Sequence, residues 1–156
     1  MSHSNLEKRP YIPDMTERPF TRVISLLQGA GLRPTRQRMA LARLLFEGGD
    51  RHVTAEDLHL EAKAAGISVS LATIYNTLNQ FTESGLLREV VVEAGRAYFD
   101  TNTSGHHHFF FEETGAIRDI SEEEVTIARL PLLPVGTELS RVDVVVRVSG
   151  REDEKN

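Results

Sequence analysis

Apolar residues in the first half of the chain recur at helical spacing. Segments with apolar side chains three or four positions apart predict amphipathic helices. Four such segments run from Glu17 to about Gly29, from Pro34 to about Phe46, from Thr54 to Gly66, and from Ser70 to about Thr82. Glycines follow the predicted helices, and Thr54 with Asp57 forms a capping-box signal. The pattern therefore predicts four short helices in a row.

The second half of the chain has short runs of β-forming residues. Leu87 to Glu93 and Arg96 to Asp100 flank Ala94-Gly95, which predicts a hairpin. Further strands are predicted at residues 107–111, 116–120 and 141–148, the last well buried, with a short helix opening at Ser121 before Glu122 to Glu124. Helices followed by a two-stranded ribbon are typical of a winged helix-turn-helix, whose recognition helix enters the major groove of DNA.

This order predicts an α+β chain with two domains. An N-terminal winged helix-turn-helix domain over residues 17–100 is followed by a small α/β dimerisation domain over residues 101–150. A flexible arm, residues 1–16, precedes them, and a charged tail, residues 151–156, follows. Because a unit of about 50 residues has little core of its own, we expect it to pair with a second copy as a homodimer.

The predicted fourth helix has one face without charges. Besides its buried stripe it carries Thr73, Tyr75 and Asn76, and such hydroxyl and amide groups match base edges of double-stranded DNA. An ordinary capped helix is the alternative. Arginines precede this helix at positions 33, 36, 38, 43 and 51. They suit phosphate contacts, although an ordinary exposed helix face explains them as well.

Composition narrows the classes of function. The net charge is −5, but residues 1–87 hold 10 basic and 9 acidic side chains, against 8 and 14 in residues 88–156. The acidity therefore lies in the second half, away from the predicted DNA-binding part. No apolar run is long enough for a membrane span and no signal peptide is recognisable, so we expect a cytoplasmic protein without a membrane partner. There is no cysteine, which leaves His, Asp and Glu as metal ligands.

Three consecutive histidines precede three phenylalanines at residues 106–111. In a strand, His106 and His108 lie on one face and His107 on the other. Two convergent imidazoles are half of a site for a first-row metal, and imidazole also ligates haem iron. The alternative is a solvated histidine patch. The phenyl rings suit the cover of a porphyrin or, equally, the inner face of a sheet.

Four motifs together resemble the ferric uptake regulator family. They are Gly31-Leu-Arg-Pro-Thr-Arg-Gln-Arg38, His52-Val-Thr-Ala-Glu-Asp-Leu58, Leu71-Ala-Thr-Ile-Tyr-Asn-Thr-Leu-Asn79 and Gly105-His-His-His108. The unbroken triple histidine before aromatic residues is most similar to the iron response regulator branch, whose members respond to haem. The resemblance covers residues 20–148 approximately.

The resemblance implies a dimeric repressor of iron and haem homeostasis genes that binds an AT-rich operator. It implies a site for Mn²⁺ or Fe²⁺, with Zn²⁺ as a substitute in vitro, and a haem site at His106, His107 and His108. The implied metal ligands are His52, Asp100, His106, His108 and Asp119. The implied DNA-binding residues are Arg33 in the minor groove and Tyr75 on the recognition helix, beside Arg36, Thr73 and Asn76 from the pattern above.

The chain also departs from the family pattern. Phe111 and Thr114 stand where many members have the first C-x-x-C pair, so the structural cysteine-zinc site is absent. Asn76 stands where many relatives have arginine, and the cysteine-proline haem motif is missing. Two other classes stay open on the residues alone, a mononuclear His/carboxylate metalloenzyme and a metal-buffering protein.

Overall fold

The computed structural model describes residues 20–150, and all four predicted helices are present in it. They are α1 (Thr21–Gly29), α2 (Arg36–Phe46), α3 (Ala55–Ala64) and α4 (Leu71–Glu83). The predicted arm (1–16), the predicted helix start at Glu17 and the charged tail (151–156) lie outside the described residues. No helix within residues 20–150 is long and apolar enough to cross a membrane.

Side-chain caps set the beginnings of three helices. Helix α2 begins at Arg36 rather than at the predicted Pro34, because Thr35 has an extended backbone and its hydroxyl accepts a hydrogen bond from the amide of Arg38 at 3.2 Å. The predicted capping box of α3 is confirmed, with Thr54 and Asp57 bonding each other's backbone amides. These caps satisfy amides that a helix start leaves without partners.

The apolar stripes of the helices form the main core. Its fully buried members include Leu27, Leu45, Leu58, Ile74 and Phe81, one or more from each helix. Phe99 from the following sheet packs into the same cluster. The helices and this sheet are therefore held together by one continuous apolar core.

The first sheet contains the predicted hairpin and one strand that the sequence did not predict. Strands β2 (Arg88–Glu93) and β3 (Arg96–Asp100) pair antiparallel, as expected of a wing. Strand β1 (His52–Val53) lies on the other side of β3 and places His52 opposite Asp100. With two residues, β1 is too short to show an alternating pattern.

The second sheet has the order β5-β4-β6. Strand β4 (His106–Phe111) pairs antiparallel with β5 (Ile117–Ser121) and parallel with β6 (Val145–Val148). Phe110 is fully buried against the wing residues Val90, Val92 and Tyr98. The two sheets therefore share a small second core.

Two predictions for the second sheet were wrong in extent. The strand predicted over residues 141–148 is formed only over Val145–Val148, and its valines are half-buried rather than well buried. The helix predicted after Ser121 is a single 3-10 turn (Glu122–Glu124), although its capping box with Glu124 is present. The β-branched residues that follow, beginning with Val125 in an extended conformation, disfavour continuing the helix.

Two leucines of α3 allow a test of the core. Leu58 is fully buried, whereas Leu60, two residues further along, is 66% exposed. Leu58→Ala should lower the free energy of unfolding by about 2 to 5 kcal/mol, because it leaves a cavity in the core. Leu60→Ala should change it by no more than about 0.5 kcal/mol. Urea denaturation followed by circular dichroism measures both, and equal losses would contradict the assigned core face.

Candidate metal centre and nucleic-acid interface

Strand pairing brings the five predicted metal ligands together. The β1 and β3 register sets His52 opposite Asp100, and the β4 and β5 register sets His108 opposite Asp119. Alternation along β4 puts His106 on the same face as His108. One ligand atom from each of these five side chains lies within 4.8 Å of every other. We call these five residues the His/Asp cluster.

One carboxylate oxygen is the centre of the cluster. Oδ2 of Asp100 lies 3.0 Å from Nε2 of His52, 2.7 Å from Nε2 of His106 and 3.0 Å from Nε2 of His108. Oδ1 of Asp119 approaches the same three nitrogens at 2.9, 3.4 and 3.5 Å. The Asp100 side chain is completely buried, whereas that of Asp119 is 38% exposed. Three imidazoles and two carboxylates therefore point at one location, with a solvent-facing side at Asp119.

The orientation of His106 favours a cation at this location. Its Nδ1 lies 2.6 Å from the carbonyl oxygen of Ser104, which can only accept, so Nδ1 must carry a proton. In the neutral tautomer the lone pair is then on Nε2 and faces Asp100. A lone pair facing a carboxylate is repulsive, and a proton or a metal ion between them removes the repulsion. The Ser104 carbonyl thus sets the tautomer that a metal ligand needs.

The pKa values of the cluster show the same coupling. Burial alone raises the pKa of the Asp100 carboxyl, but the imidazoles of His108 and His52 and the hydrogen bond from the Asn102 amide outweigh it and hold that pKa well below its usual range. Burial alone lowers the pKa of His52, yet the nearby carboxylate of Asp100, together with that of Asp119, raises it above 6.5. Asp100 is therefore ionised at neutral pH and ready to bind a cation.

The donor set fits a divalent first-row metal ion. Imidazole suits zinc and iron, carboxylate oxygen suits manganese, and a mixed set of three nitrogens and two oxygens accommodates any of them. Burial of Asp100, His106 and His108 excludes most of the water that would otherwise compete as ligand. These residues are held on strands rather than on loops, so little ordering is needed on binding.

The three predicted haem histidines lie on two faces of β4. His106 and His108 belong to the His/Asp cluster, whereas Nδ1 of His107 accepts a hydrogen bond from the Val144 amide at 3.1 Å. The proton of neutral His107 is then on Nε2, which has no free lone pair in this arrangement. His107 also lines a cavity of about 440 Å³ with Val125, Ile127, Val142 and other residues. A haem ligated by His107 would require the bond to Val144 to break.

The predicted DNA-binding residues lie on the surface of α2 and α4 and on the segment before α2. Arg33, Arg36, Tyr75 and Asn76 are exposed, and Thr73 is half-buried in the first turn of α4. The Tyr75 hydroxyl donates a hydrogen bond to Glu56 at 2.7 Å. Glu56 and Tyr75 therefore hold each other in place at the start of the exposed face of α4.

Of the five arginines considered for phosphate contacts, three form hydrogen bonds or ion pairs with other residues of the chain. Arg38 donates to the Arg33 carbonyl and to Gln80, which joins α2 to α4. Arg43 pairs with Glu47, and Arg51 with Glu61. The side chains of Arg33 and Arg36 form no ion pair with residues in the described part of the chain. These pairings depend on the tertiary fold and could not be predicted from the sequence.

Two residues near the cluster were missed by the sequence analysis. Ser104 orients His106 through its backbone carbonyl, and Arg88 is a buried arginine that donates to the His106 carbonyl at 3.1 Å. A contact made by a backbone carbonyl leaves no mark on the residue type. No signal in the sequence would have identified either residue.

Four helices, a two-stranded wing and a buried His/Asp cluster define a class, the winged-helix transcription regulators with a metal site. The model of the ferric uptake regulator family matches residues 29–144, and the chain belongs to this family. Its members are metal-responsive DNA-binding regulators that form homodimers, and they are not enzymes. The metalloenzyme alternative is thereby set aside.

Individual relatives agree with this assignment. The ferric uptake regulation protein of Pseudomonas aeruginosa is 35% identical over 102 residues, which cover 65% of this chain and 76% of that protein. The Escherichia coli K12 protein is 32% identical over 100 residues, covering 64% and 68%. The structure of the Pseudomonas aeruginosa regulator with manganese has a TM-score of 0.64 at 27% identity and covers 83% of this chain and 98% of its own. The Vibrio cholerae regulator, with a TM-score of 0.65 at 23% identity, covers 81% and 98% and shows the shared fold.

The raised pKa of His52 allows a test of the cluster in metal-free protein. Protonated His52 stabilises the fold below the ordinary pKa of 6.5, and this contribution is lost as the pH rises through the raised value. In Asp100→Asn the pKa of His52 should fall, because the anionic partner is lost while burial remains. NMR titration of the imidazole resonances measures the shift. Asp50→Asn, which removes an exposed carboxylate, is the control, and equal effects of both variants would contradict the local pairing.

Proposed function

We propose that this protein is a transcriptional repressor whose affinity for DNA is raised by one divalent metal ion, Mn²⁺ or Fe²⁺, bound by the His/Asp cluster. The observation that carries the proposal is the convergence of three imidazole nitrogens on one buried oxygen of Asp100. The 27% identical Pseudomonas aeruginosa regulator, whose structure contains manganese, supports the choice of metal. Zn²⁺ suits the same donors and is expected to substitute in vitro.

The origin of the ligands connects the metal with DNA binding. His52 and Asp100 belong to the first sheet, of strands β1, β3 and β2, which we call the wing sheet. His106, His108 and Asp119 belong to the second sheet. An ion bound by all five holds the two sheets at one relative position. Metal binding therefore favours conformations with that position, and DNA affinity rises if the winged helix is then correctly oriented.

The proposed DNA contacts divide into two kinds. Arg33 and Arg36 are exposed and suit phosphates, which supply affinity without sequence information. Thr73, Tyr75 and Asn76 are proposed to read base edges in the major groove, where an amide side chain matches adenine. The resemblance in sequence supports two further parts of the proposal, an AT-rich operator and control of iron and haem homeostasis genes. We propose that the protein acts on this DNA in the cytoplasm.

An apolar segment after β5 is proposed to lie in the homodimer interface. Residues 125–144 contain no helix or strand and expose several large apolar side chains. These are Ile127, Leu130, Leu132, Leu133, Val135 and Leu139. So many exposed apolar groups in one segment are unfavourable in water and favour a second copy as cover. No cysteine is present, so the dimer has to be held without a cysteine-zinc site.

Haem is proposed as a second ligand, in keeping with the iron response regulator branch. The observation in its favour is the cavity beside His107, which has apolar lining from Val125, Ile127 and Val142. Phe110 is part of the core and cannot cover a porphyrin, whereas Phe109 and Phe111 share the face of His107 and lie near Arg118. Haem at this face would be ligated by nitrogen, because cysteine is absent.

Metal-dependent DNA binding tests the proposed function. A duplex selected from a random pool with Mn²⁺ present should bind the wild type roughly 5- to 150-fold more tightly with Mn²⁺ than after chelation. His108→Ala should lose most of this gain, because it removes a buried ligand. His59→Ala is the matched control, since His59 lies outside the cluster and contacts the Val69 carbonyl. Fluorescence anisotropy gives the DNA affinities, and electron paramagnetic resonance gives bound Mn²⁺.

A wild type with equal affinities in both conditions would contradict the metal-responsive proposal. A His108→Ala variant with the full gain would remove the His/Asp cluster from the sensor.

A haem titration tests the second ligand. It compares the wild type, His107→Ala and the variant with residues 106–108 all replaced by alanine. If haem weakens operator binding in the triple variant as in the wild type, the haem site lies elsewhere.

Tyr75 and Arg36 should affect DNA binding in different ways. Tyr75→Ala should weaken binding of the selected duplex by about 1 to 3 kcal/mol, while leaving scrambled duplexes nearly unaffected, because a base contact is lost. Arg36→Ala should weaken both duplexes alike and reduce the salt slope by about 1, because a phosphate contact is lost. Anisotropy at several salt concentrations gives both quantities. Unchanged specific affinity in Tyr75→Ala would remove this residue from the interface.

A further inference from the structure

Arg88 is a buried arginine at the boundary between the two sheets. It is the first residue of β2, and its side chain is 5% exposed. Arginine is almost never this buried unless its donors are paired, because removing the charge from water is unfavourable. The partners of Arg88 should therefore matter for the conformation of the protein.

The partners of Arg88 all lie on the second sheet or at its edges. One guanidinium nitrogen donates to the carbonyls of His106, at 3.1 Å, and Ser104, at 3.4 Å. The second terminal nitrogen pairs with the carboxylate of Asp143, which also accepts from Arg141, whereas Nε is buried without a hydrogen-bond partner in the described part of the chain. A single side chain of the wing sheet thus reaches both the start of β4 and the segment that leads into β6.

These contacts connect Arg88 to the His/Asp cluster at two points. Its backbone pairs with Asp100 across β2 and β3, and its side chain binds the carbonyl of His106. The Ser104 carbonyl that orients the His106 ring is a further acceptor of Arg88. A small displacement of these ligands on metal binding would therefore move the guanidinium or strain its hydrogen bonds.

Arg88 is also joined to the predicted recognition helix by a short stretch of backbone. Helix α4 ends at Glu83, and the amides of Leu86 and Leu87 both bond to the carbonyl of Phe81 in its last turn, at 2.9 and 3.2 Å. The residue after Leu87 is Arg88. The chain between the end of α4 and the first residue of β2 is therefore short and hydrogen-bonded, with little freedom to absorb a shift.

We propose that Arg88 is the positioning residue that transmits metal occupancy of the His/Asp cluster to helix α4. The proposal rests on the proposed function, since it assumes that the cluster senses a metal ion. Arg88 is not a metal ligand, and its side chain donates to the backbone carbonyl of His106 rather than to its ring. Its substitution should separate metal binding from the DNA response, which loss of a ligand does not do.

The test compares Arg88→Gln with Arg147→Gln in the full-length protein. Arg147 is an exposed arginine of β6 whose guanidinium lies over the Phe110 ring, so its loss removes the same charge from the second sheet without touching β2. For each variant, electron paramagnetic resonance gives the dissociation constant for Mn²⁺. Anisotropy gives the ratio of operator dissociation constants without and with Mn²⁺. Arg88→Lys keeps the charge but not the planar guanidinium group, and it should retain part of the DNA response that Arg88→Gln loses.

In Arg88→Gln, Mn²⁺ affinity should stay within about threefold of the wild type, while the DNA response should fall below about twofold. Arg147→Gln should keep both quantities. If Arg88→Gln retains the wild-type response, the proposal is overturned. A wild type that lacks any Mn²⁺ response is a different result, because it overturns the proposed function itself.

A second variant keeps the test decisive if Arg88→Gln fails to fold, as judged by circular dichroism. Asp143→Asn weakens the charged partner of Arg88 at a side chain that is 43% exposed, so the core is untouched. It should reduce the DNA response without a matching loss of Mn²⁺ affinity. A full response in Asp143→Asn together with an unfolded Arg88→Gln would assign Arg88 a purely structural role and overturn the proposal.

Discussion

The buried carboxylate of Asp100 is the constraint on which the site depends. An ionised carboxylate without water is unfavourable unless opposite charge and hydrogen bonds surround it. Here the compensation comes from the Nε2 atoms of three histidines and from the amide of Asn102. Neutral His106 has its proton on Nδ1, which donates to the Ser104 carbonyl, so its Nε2 cannot also donate to Asp100. A cation completes the arrangement. A strand pair that buried the same aspartate beside apolar residues would lose stability and bind nothing.

Backbone pairing, rather than loop conformation, fixes the positions of the ligands. The two residues of β1 add little to the sheet, but they place His52 directly opposite Asp100. The β4 and β5 register places Asp119 opposite His108. Shifting either pair by one residue would turn the ligand to the other face of its sheet. The short β1 strand is therefore explained by the site that it completes, since its own contribution to the core is the single residue Val53.

The sequence predicted those parts of the fold that have local signals. Caps and apolar spacing identified four helices, and Ala94-Gly95 identified the hairpin of the wing. Alternation in the run of histidines separated His107 from its two neighbours. The rest arises from contacts between distant segments. His52 and Asp119 carry no local pattern that marks them as ligands, and only the family resemblance predicted them. Strand β1 and the partners of Arg88, Arg38 and Arg51 are set by the tertiary fold and leave no local pattern in the sequence.

The two faces of β4 have different tasks, and this division follows from strand geometry. His106 and His108 face the wing sheet and its ligands, whereas His107 faces the segment before β6, where it accepts from the Val144 amide. Val144 in turn accepts from the amide of His108 through its carbonyl. Residues on opposite faces of one strand share a rigid backbone but not their surroundings. A partner that covers residues 125–144 can therefore bind without displacing a ligand of the cluster, while any movement of β4 is felt on both sides. A metal ion that shifted β4 on the face of His106 and His108 would therefore also change the packing around His107 on the opposite face.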